Sequence, residues 1–252
     1  MLTANCGLQT LAKTSFIKML FKFKQFSIED NNCAMKTGTD GCLLGAWADV
    51  CNAQNILDIG TGSGVIALML AQRSNAMIDA VEIDNDAYKQ ACENFANSPW
   101  KVRLQAIHAP LQAYVKTCPK KYDLIVSSPP YFLNSLKTTD SKRKLARHTD
   151  SLSFEELLSG TLRLLNKNGK FCVVIPSDIT SLFCDIALIE GFYINRITHV
   201  EPKAGAKPLR TLLQMERLKK ANLSDTIAIL DKEGKSYTPD YIRLTKDFYI
   251  NF

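Results

Sequence analysis

The sequence predicts an α/β domain built on a mostly parallel sheet with an antiparallel pair at one edge, and three observations carry that reading. From about residue 54 to Glu190, short apolar runs alternate with longer amphipathic ones. Strands separated by helices of about 10–15 residues form right-handed β-α-β units, whose sheet is parallel and covered on both faces. Between the first strand and the first helix lies Gly60-Thr61-Gly62-Ser63-Gly64, a tight turn of the kind that opens such units. After Glu190 the pattern changes. Tyr193–Val200 and Leu209–Glu216 are extended runs joined by a loop holding Pro202, Gly205 and Pro208, and antiparallel strands need only a loop.

In chain order, Asn55–Ile59 is the first strand and Val65–Arg73 the first helix. Met77–Ile83 is the second strand, followed by a helix from Asn85 to about Asn97. Val102–Ile107 reads as the third strand, Leu111–Lys116 as a short helix and Tyr122–Ser127 as the fourth strand. Ser153-Phe154-Glu155-Glu156 is a capping box opening a helix through Leu165, because the serine hydroxyl and the glutamate each satisfy a free backbone N–H of the first turn. Gly169–Ile175 is the fifth strand and Ser177–Glu190 a further helix. Thr226–Leu230 adds a short strand ahead of a closing segment, Tyr237–Phe252. Between Ser128 and Asp150 a long polar stretch lacks periodicity, and loops of that length in a compact domain are usually functional or disordered.

The 252 residues suffice to bury a real core, with 46% hydrophobic and 22% charged residues. Residues 22–252 are expected to form one domain. Residues 1–24 are basic and free of acids, and the first 21 read as an N-terminal extension, disordered or loosely docked. The net charge of +6 is compatible with a polyanionic partner without demanding one. The eight cysteines are scattered, none at C-x-x-C spacing, and no histidine stands at zinc-finger distance from a cysteine pair. Reduced, buried thiols in a cytoplasmic protein are expected, and no metal. No apolar run approaches the roughly 18 residues of a membrane span.

The glycine turn is a ligand site by its chemistry. Its glycines let the backbone turn tightly and let a ligand approach without Cβ obstruction. Asp58, still in the strand, sets a carboxylate beneath that ligand, which repels a pyrophosphate and attracts the ammonium of an amino-acid-bearing cofactor. Glu82 ends the second strand, where a carboxylate can accept both hydroxyls of a ribose. The bland alternative, a glycine turn with a solvated glutamate, leaves the joint register of Asp58, the glycines and Glu82 unexplained.

The fourth strand runs straight into Ser128-Pro129-Pro130-Tyr131. In an open parallel sheet, ligands sit beyond the carboxyl ends of the strands near the switch point, so this turn faces the same crevice as the glycines. Two prolines remove two N–H donors and leave carbonyl oxygens pointing outward. Ser128 Oγ or carbonyl and the Pro129 carbonyl can accept the N–H groups of a planar exocyclic amine, and Tyr131 offers a ring for stacking. That suits transfer to a poorly nucleophilic amino nitrogen, whose developing charge the acceptors stabilise. Taken alone, such a turn is also a rigid strand-to-loop connection. The loop beyond carries Lys137, Lys142, Arg143, Lys144, Arg147 and His148, either a solvated loop or a grip for phosphates around a flipped nucleotide. A second basic set, Lys203, Lys207, Arg210, Arg217, Lys219 and Lys220, lies in the edge-strand region and can extend that track. His108 and His199 read as structural histidines, and Trp47 and Trp100 as packing residues.

These residues resemble class I methyltransferases, and more narrowly the bacterial tRNA(Val) (adenine(37)-N6)-methyltransferase family. The matching stretches include Phe23-Lys24-Gln25-Phe26, Cys33–Gly41 with Leu43–Trp47, Leu57–Gly60, Ala67–Arg73, Ile78–Glu82, Ser98-Pro99-Trp100, Ala146-Arg147 and Asp247-Phe248-Tyr249. The resemblance implies a Rossmann-like fold with a mostly parallel seven-stranded sheet. It also implies S-adenosyl-L-methionine as cofactor, and tRNA, specifically tRNA(Val), as partner. The product would be N6-methyladenosine beside the anticodon. By position, Lys36, Thr37, Gly38 and Asp40 would pack over the methionine end of the cofactor, Asp58, Gly60, Gly62 and Gly64 would cradle it, and Glu82 would hold its ribose with Ile83 alongside. Ser128, Pro129, Pro130 and Tyr131 would hold the target base, and Lys142, Arg143, Lys144 and Arg147 the RNA. Two departures stand out. Ser128 replaces the usual asparagine, and Pro110 stands where an acid usually contacts the cofactor adenine, so that contact is unassigned. The rival readings are a glutamine-N5 or guanine-N2 methyltransferase sharing the proline turn, and a non-catalytic RNA-binding module.

Overall fold

Alternation along the strands decides the layers. In β3 (Asn55–Ile59), Ile56 faces one core while Leu57 and Ile59 face the other. The same split holds in β6 (Tyr122–Ser127), where Leu124 and Val126 oppose Ile125, and in β7 (Leu165–Pro176), where Cys172 and Val174 oppose Phe171 and Val173. A sheet apolar on both faces must be covered twice. The first core packs under α1 (Thr39–Trp47), α2 (Val65–Arg73) and α3 (Asn85–Ala96). The second packs under α4 (Leu111–Thr117), α5 (Phe154–Leu164) and α6 (Thr180–Ile189). The computed structural model describes residues 20–129 and 152–252.

With β4 (Met77–Glu82), β5 (Leu104–His108), β8 (Tyr193–Lys203), β9 (Arg210–Glu216) and β10 (Leu223–Leu230), the main sheet runs β10-β8-β9-β7-β6-β3-β4-β5. Only β9 runs against the others. The chain order reverses at β3, flanked by β4 and β6, which makes the carboxyl ends of these three strands the switch point.

The described sheet has eight strands where seven were expected. From β9 the chain turns back up past β8, so β10 lies parallel to β8 with no crossover helix and becomes the outer edge of the antiparallel region. Several boundaries also move, among them β8, which runs on three residues past Val200, and β10, which begins three residues before Thr226. Lys101–Arg103 is a 3-10 turn, with Val102 in solvent, and the third strand of the parallel set begins at Leu104. β7 starts at Leu165, ahead of the expected Gly169, its early register taken up by an irregularity opposite Tyr122 and Leu124. The helix expected from Ser177 opens as a 3-10 turn over Ser177–Ile179. The capping box at Ser153 and Glu156 forms as expected.

The first core also buries two pieces from opposite ends of the chain. A hairpin, β1 (Leu20–Lys22) with β2 (Ser27–Glu29), presents Phe23 and Phe26, stacked at 4.5 Å. Phe23 stacks on Tyr249 at 5.9 Å, beyond α7 (Pro239–Thr245). Lys24 closes the junction: its N–H donates to the Phe248 carbonyl at 2.8 Å and its ammonium to the carbonyls of Lys246 and Phe252 at 2.7 and 2.8 Å. The Phe-Lys-Gln-Phe and Asp-Phe-Tyr stretches are thus two halves of one contact. Among the described residues, no helix is long and apolar enough to cross a membrane.

Candidate active site

β3 delivers Asp58 and then the glycine turn. Gly60, Gly62 and Gly64 take φ values of 71°, 57° and 88°, a left-handed backbone that a side chain adopts only under strain. The turn is pinned by Gly60 and Thr61 N–H groups donating to the Val81 carbonyl at 2.8 and 3.2 Å. A Cβ at Gly60 or Gly62 would meet nothing within 4 Å among the described residues, so they leave the space above these two open. Gly64 is there for packing instead, since a Cβ would lie 2.5 Å from Phe95 Cε1.

Asp58 is fully buried under this turn. Thr61 Oγ1 donates to its Oδ2 at 2.6 Å, while Oδ1 has no partner among the described residues. Burial pushes the Asp58 carboxyl up to about 7, against the pull of the Thr61 hydroxyl and the Ala67 N–H. A buried acceptor without a donor costs about 1–3 kcal/mol, so this atom is poised for a donating ligand. Glu82 ends β4 next door. Its Oε2 accepts the Gly62 N–H at 2.8 Å and its Oε1 the Asp84 N–H at 2.9 Å, which leaves acceptor capacity on both oxygens. Ile83 is exposed beyond it, and its carbonyl lies 3.0 Å from Nε2 of His108, whose ring stacks on Tyr88. Cys33 packs close by, its thiol pushed up to about 11 by burial and by Asp30.

Strand register sets the proline turn beside this cradle. Ser127 of β6 and Val81 of β4 both pair with Ile59, and Ser127 Oγ donates to the Ile59 carbonyl at 2.9 Å. Ser128, Gly60 and Glu82 therefore leave the sheet in one row, at the strand spacing of about 4.8 Å. Ser128 is partly buried and Pro129 buried. Pro130, Tyr131, Lys142, Arg143, Lys144 and Arg147 lie outside the described residues.

A third wall comes from the segment leading into α1. Thr37 donates its N–H to Asp30 Oδ2 at 2.7 Å and shares a 3.2 Å hydroxyl hydrogen bond with Ser63 of the glycine turn. Lys36 ties its ammonium to the carbonyls of Asp30 and Asn31, at 2.7 and 3.1 Å. Gly38 caps α1 without a side chain, and Asp40 in its first turn accepts Arg210 Nε at 2.7 Å. Asn94 fastens this wall to the turn, bonding both backbone groups of Glu29 and the Ser63 carbonyl. Asn94 and Thr61 escaped sequence reasoning, and Arg210, singled out there only as part of a basic set, proves to be the partner of Asp40. Thr61 sat inside the motif already singled out, whereas an asparagine in an amphipathic helix carries no local signal.

The second basic set divides. Lys203, Lys207 and Arg210 stand at the carboxyl ends of the parallel strands, with the cradle, whereas Arg217, Lys219 and Lys220 follow β9 to the opposite end. There Arg217 donates to the Leu162 and Leu165 carbonyls and Lys220 pairs with Glu216. A polar pocket of about 460 Å³ also lies at that far end, where Lys170 pairs with Asp49 at 2.5 Å and Asp123 accepts from Asn166 and from the Gln54 and Asn55 N–H groups. Of the described cysteines, all free, Cys33, Cys42 and Cys172 are buried, but Cys51 is exposed and Cys92, Cys118 and Cys184 are partly so. Trp47 packs as expected, donating to Thr198 Oγ1 at 2.9 Å under the guanidinium of Arg196.

Comparison with known proteins agrees with this geometry. The family model described as methyltransferase small domain matches residues 40–182. The fold is similar to that of a predicted O-methyltransferase of Agrobacterium tumefaciens, with TM-score 0.64 and 16% identity over 83% of this chain and 96% of that one. It is also similar to a glycopeptide N-methyltransferase complexed with S-adenosyl-L-methionine, with TM-score 0.53 and 11% identity over 73% of this chain and all of that one. In sequence, the tRNA1(Val) (adenine(37)-N6)-methyltransferase of Bacteroides fragilis is 48% identical over 231 residues, which cover 91% of this chain and 97% of that protein. With the cradle, the strand-end acid and the proline turn meeting at one switch point, the chain belongs to the tRNA1(Val) (adenine(37)-N6)-methyltransferase family.

Proposed function

We infer that this protein transfers a methyl group from S-adenosyl-L-methionine to N6 of adenine 37 in tRNA1(Val), acting in the cytoplasm through a catalytic unit of residues 22–252. The observation that carries the reading is the common row of Ser128, Gly60 and Glu82, because it brings an amine-accepting turn alongside a cofactor cradle. The residues present fit the cofactor on two counts, the partnerless Oδ1 of buried Asp58 and the open space above Gly60 and Gly62.

When bound, the cofactor supplies an electrophilic methyl group. Asp58 would hold its ammonium, Glu82 would accept from its ribose hydroxyls with Ile83 alongside, and Lys36, Thr37, Gly38 and Asp40 would close over its methionine end. Ser128 and the Pro129 carbonyl accept the N–H groups of the target amine, holding its nitrogen toward tetrahedral geometry and stabilising the positive charge that grows there. The prolines, lacking N–H donors, keep those acceptors uncontested. Tyr131 stacks on the base, and Lys142, Arg143, Lys144 and Arg147 hold flanking phosphates. No strong base is needed, since a cationic amine loses its proton readily.

The decisive experiment incubates the protein with unmodified tRNA and maps the methylated nucleoside. N6-methyladenosine at position 37 is expected, and N2-methylguanosine, or label in protein alone, would overturn the reading. Tyr131→Ala should lower turnover roughly 5- to 150-fold, the worth of about 1–3 kcal/mol of stacking, while cofactor affinity holds.

A further inference from the structure

The antiparallel end of the sheet does not stop level with the active site. Along one row, Ser127 pairs with Val173, Val173 with Leu213, Leu213 with Ile197 and Ile197 with Ser224. From that row β8 continues six residues to Lys203, opposite Leu230 at the end of β10. At about 3.3 Å per residue, β8 and β10 each continue about 20 Å beyond that row. At about 4.8 Å between strands, they stand about 14 and 19 Å to the side of Ser127. The result is a wall flanking the crevice.

Two rigid turns crown it. In the first, the Ala204 N–H donates to the Leu230 carbonyl, the Gly205 N–H to Glu201 Oε2 and the Ala206 N–H to the Lys203 carbonyl, at 2.8, 2.8 and 3.0 Å. In the second, the Asp231 carboxylate accepts the N–H groups of Lys235 and Ser236 at 2.9 and 3.2 Å. Glu201 and Asp231 are thus turned onto their own backbone, while Glu233 stays exposed between Lys232 and Lys235. Lys203, Lys207, Lys232 and Lys235 are exposed, and none of their ammonium groups is paired with another described residue. At the opposite end of the sheet, Lys120, Lys170 and Lys220 are held in ion pairs and Arg217 on carbonyls, while Lys116 and Lys167 stay exposed and away from the cradle.

We propose that this wall, the turns at residues 203–209 and 231–236, is a docking surface for the phosphate backbone of the RNA substrate, engaging it outside the nucleotide seated at Ser128. The proposal rests on the tRNA reading above. Its chemistry is simple: turns with preordered backbones hold four solvated ammonium groups at the same end of the sheet as the cradle, where each can neutralise a phosphate. The distance from Ser128 places them beyond the reacting base, so they contribute to binding and not to the transfer step.

The test measures affinity of the full chain for a tRNA transcript over a salt series. Lys203→Ala/Lys207→Ala and Lys232→Ala/Lys235→Ala are compared with Lys116→Ala/Lys167→Ala, which removes the same charge from the far end. Each wall pair should flatten the log–log salt slope by about 1.4 to 1.8, two contacts at about 0.7–0.9 each, and raise KM for tRNA with kcat unchanged. Slopes equal to wild type, or an equal flattening by the far-end pair, would overturn the wall while leaving tRNA methylation intact. Absence of tRNA methylation in the wild type would overturn both.

Discussion

The backbone N–H of Gly62 donates to Glu82 Oε2 at 2.8 Å, so the acid proposed to hold the ribose also holds the glycine turn in shape. Glu82→Ala should therefore lose more than its ligand contacts. Each hydrogen bond to a charged acceptor is worth about 1.5–3 kcal/mol, so calorimetric titration should show cofactor affinity at least tenfold weaker. Glu82→Gln keeps one acceptor oxygen and should fall between the two. A folded Glu82→Ala protein with wild-type affinity would remove Glu82 from the site.

The proposed contact of Asp58 with the cofactor ammonium makes binding dependent on pH. The Asp58 carboxyl lies near 7, above the ordinary 3.8, because it is buried. Between those values the folded chain keeps a proton that the unfolded chain has lost, so this group's contribution to stability falls as pH rises across that window. Binding an ammonium calls for the carboxylate, so cofactor affinity should rise about an order of magnitude from pH 5.5 to 7. Asp58→Asn should bind weakly and show no such rise. A wild-type affinity flat across that range would rule out the Asp58–ammonium contact.

Two glycines of one turn should fail differently. Gly64→Ala meets left-handed strain of about 1–2 kcal/mol and a clash with Phe95 costing about 1–3 kcal/mol more, so its thermal midpoint should drop by several degrees. Gly60→Ala bears the strain alone and should melt closer to wild type, yet its methyl group enters the open cradle. Calorimetry should find the greater loss of cofactor affinity relative to stability in Gly60→Ala. If Gly60→Ala bound cofactor like the wild type, the cradle would lie elsewhere.

At the far end of the sheet, Tyr122 donates to buried Asp79 at 2.6 Å, where Tyr114 and Lys120 also converge. Burial and the Asp79 hydrogen bond raise the Tyr122 phenol well above its ordinary value, so it stays a donor at any working pH. Tyr122→Phe should cost about 1.5–3 kcal/mol in denaturant unfolding while leaving kcat and KM unchanged. A change in KM for either substrate would mean that this cluster communicates with the crevice.

By itself the sequence determined the parts whose physics is local. Gly60, Gly62 and Gly64 announced a left-handed turn because glycine alone enters that backbone freely, and Glu82 followed at the end of the next strand. The capping box at Ser153 and Glu156 formed for the same reason, both partners lying within one helical turn. α1 stayed hidden, because Cys42 through Trp47 are buried all round and leave no polar stripe to reveal a period. Tertiary structure alone decided what depends on register between distant strands. Asp40 meets Arg210 across 170 positions. Asn94 joins Glu29 to Ser63. One run of basic residues, 203 to 220, splits between opposite ends of the sheet because β9 reverses between them. Pairing energy is shared over a whole strand and no single residue encodes it, so the extended ends of β8 and β10 come together only once β8, β9 and β10 have aligned.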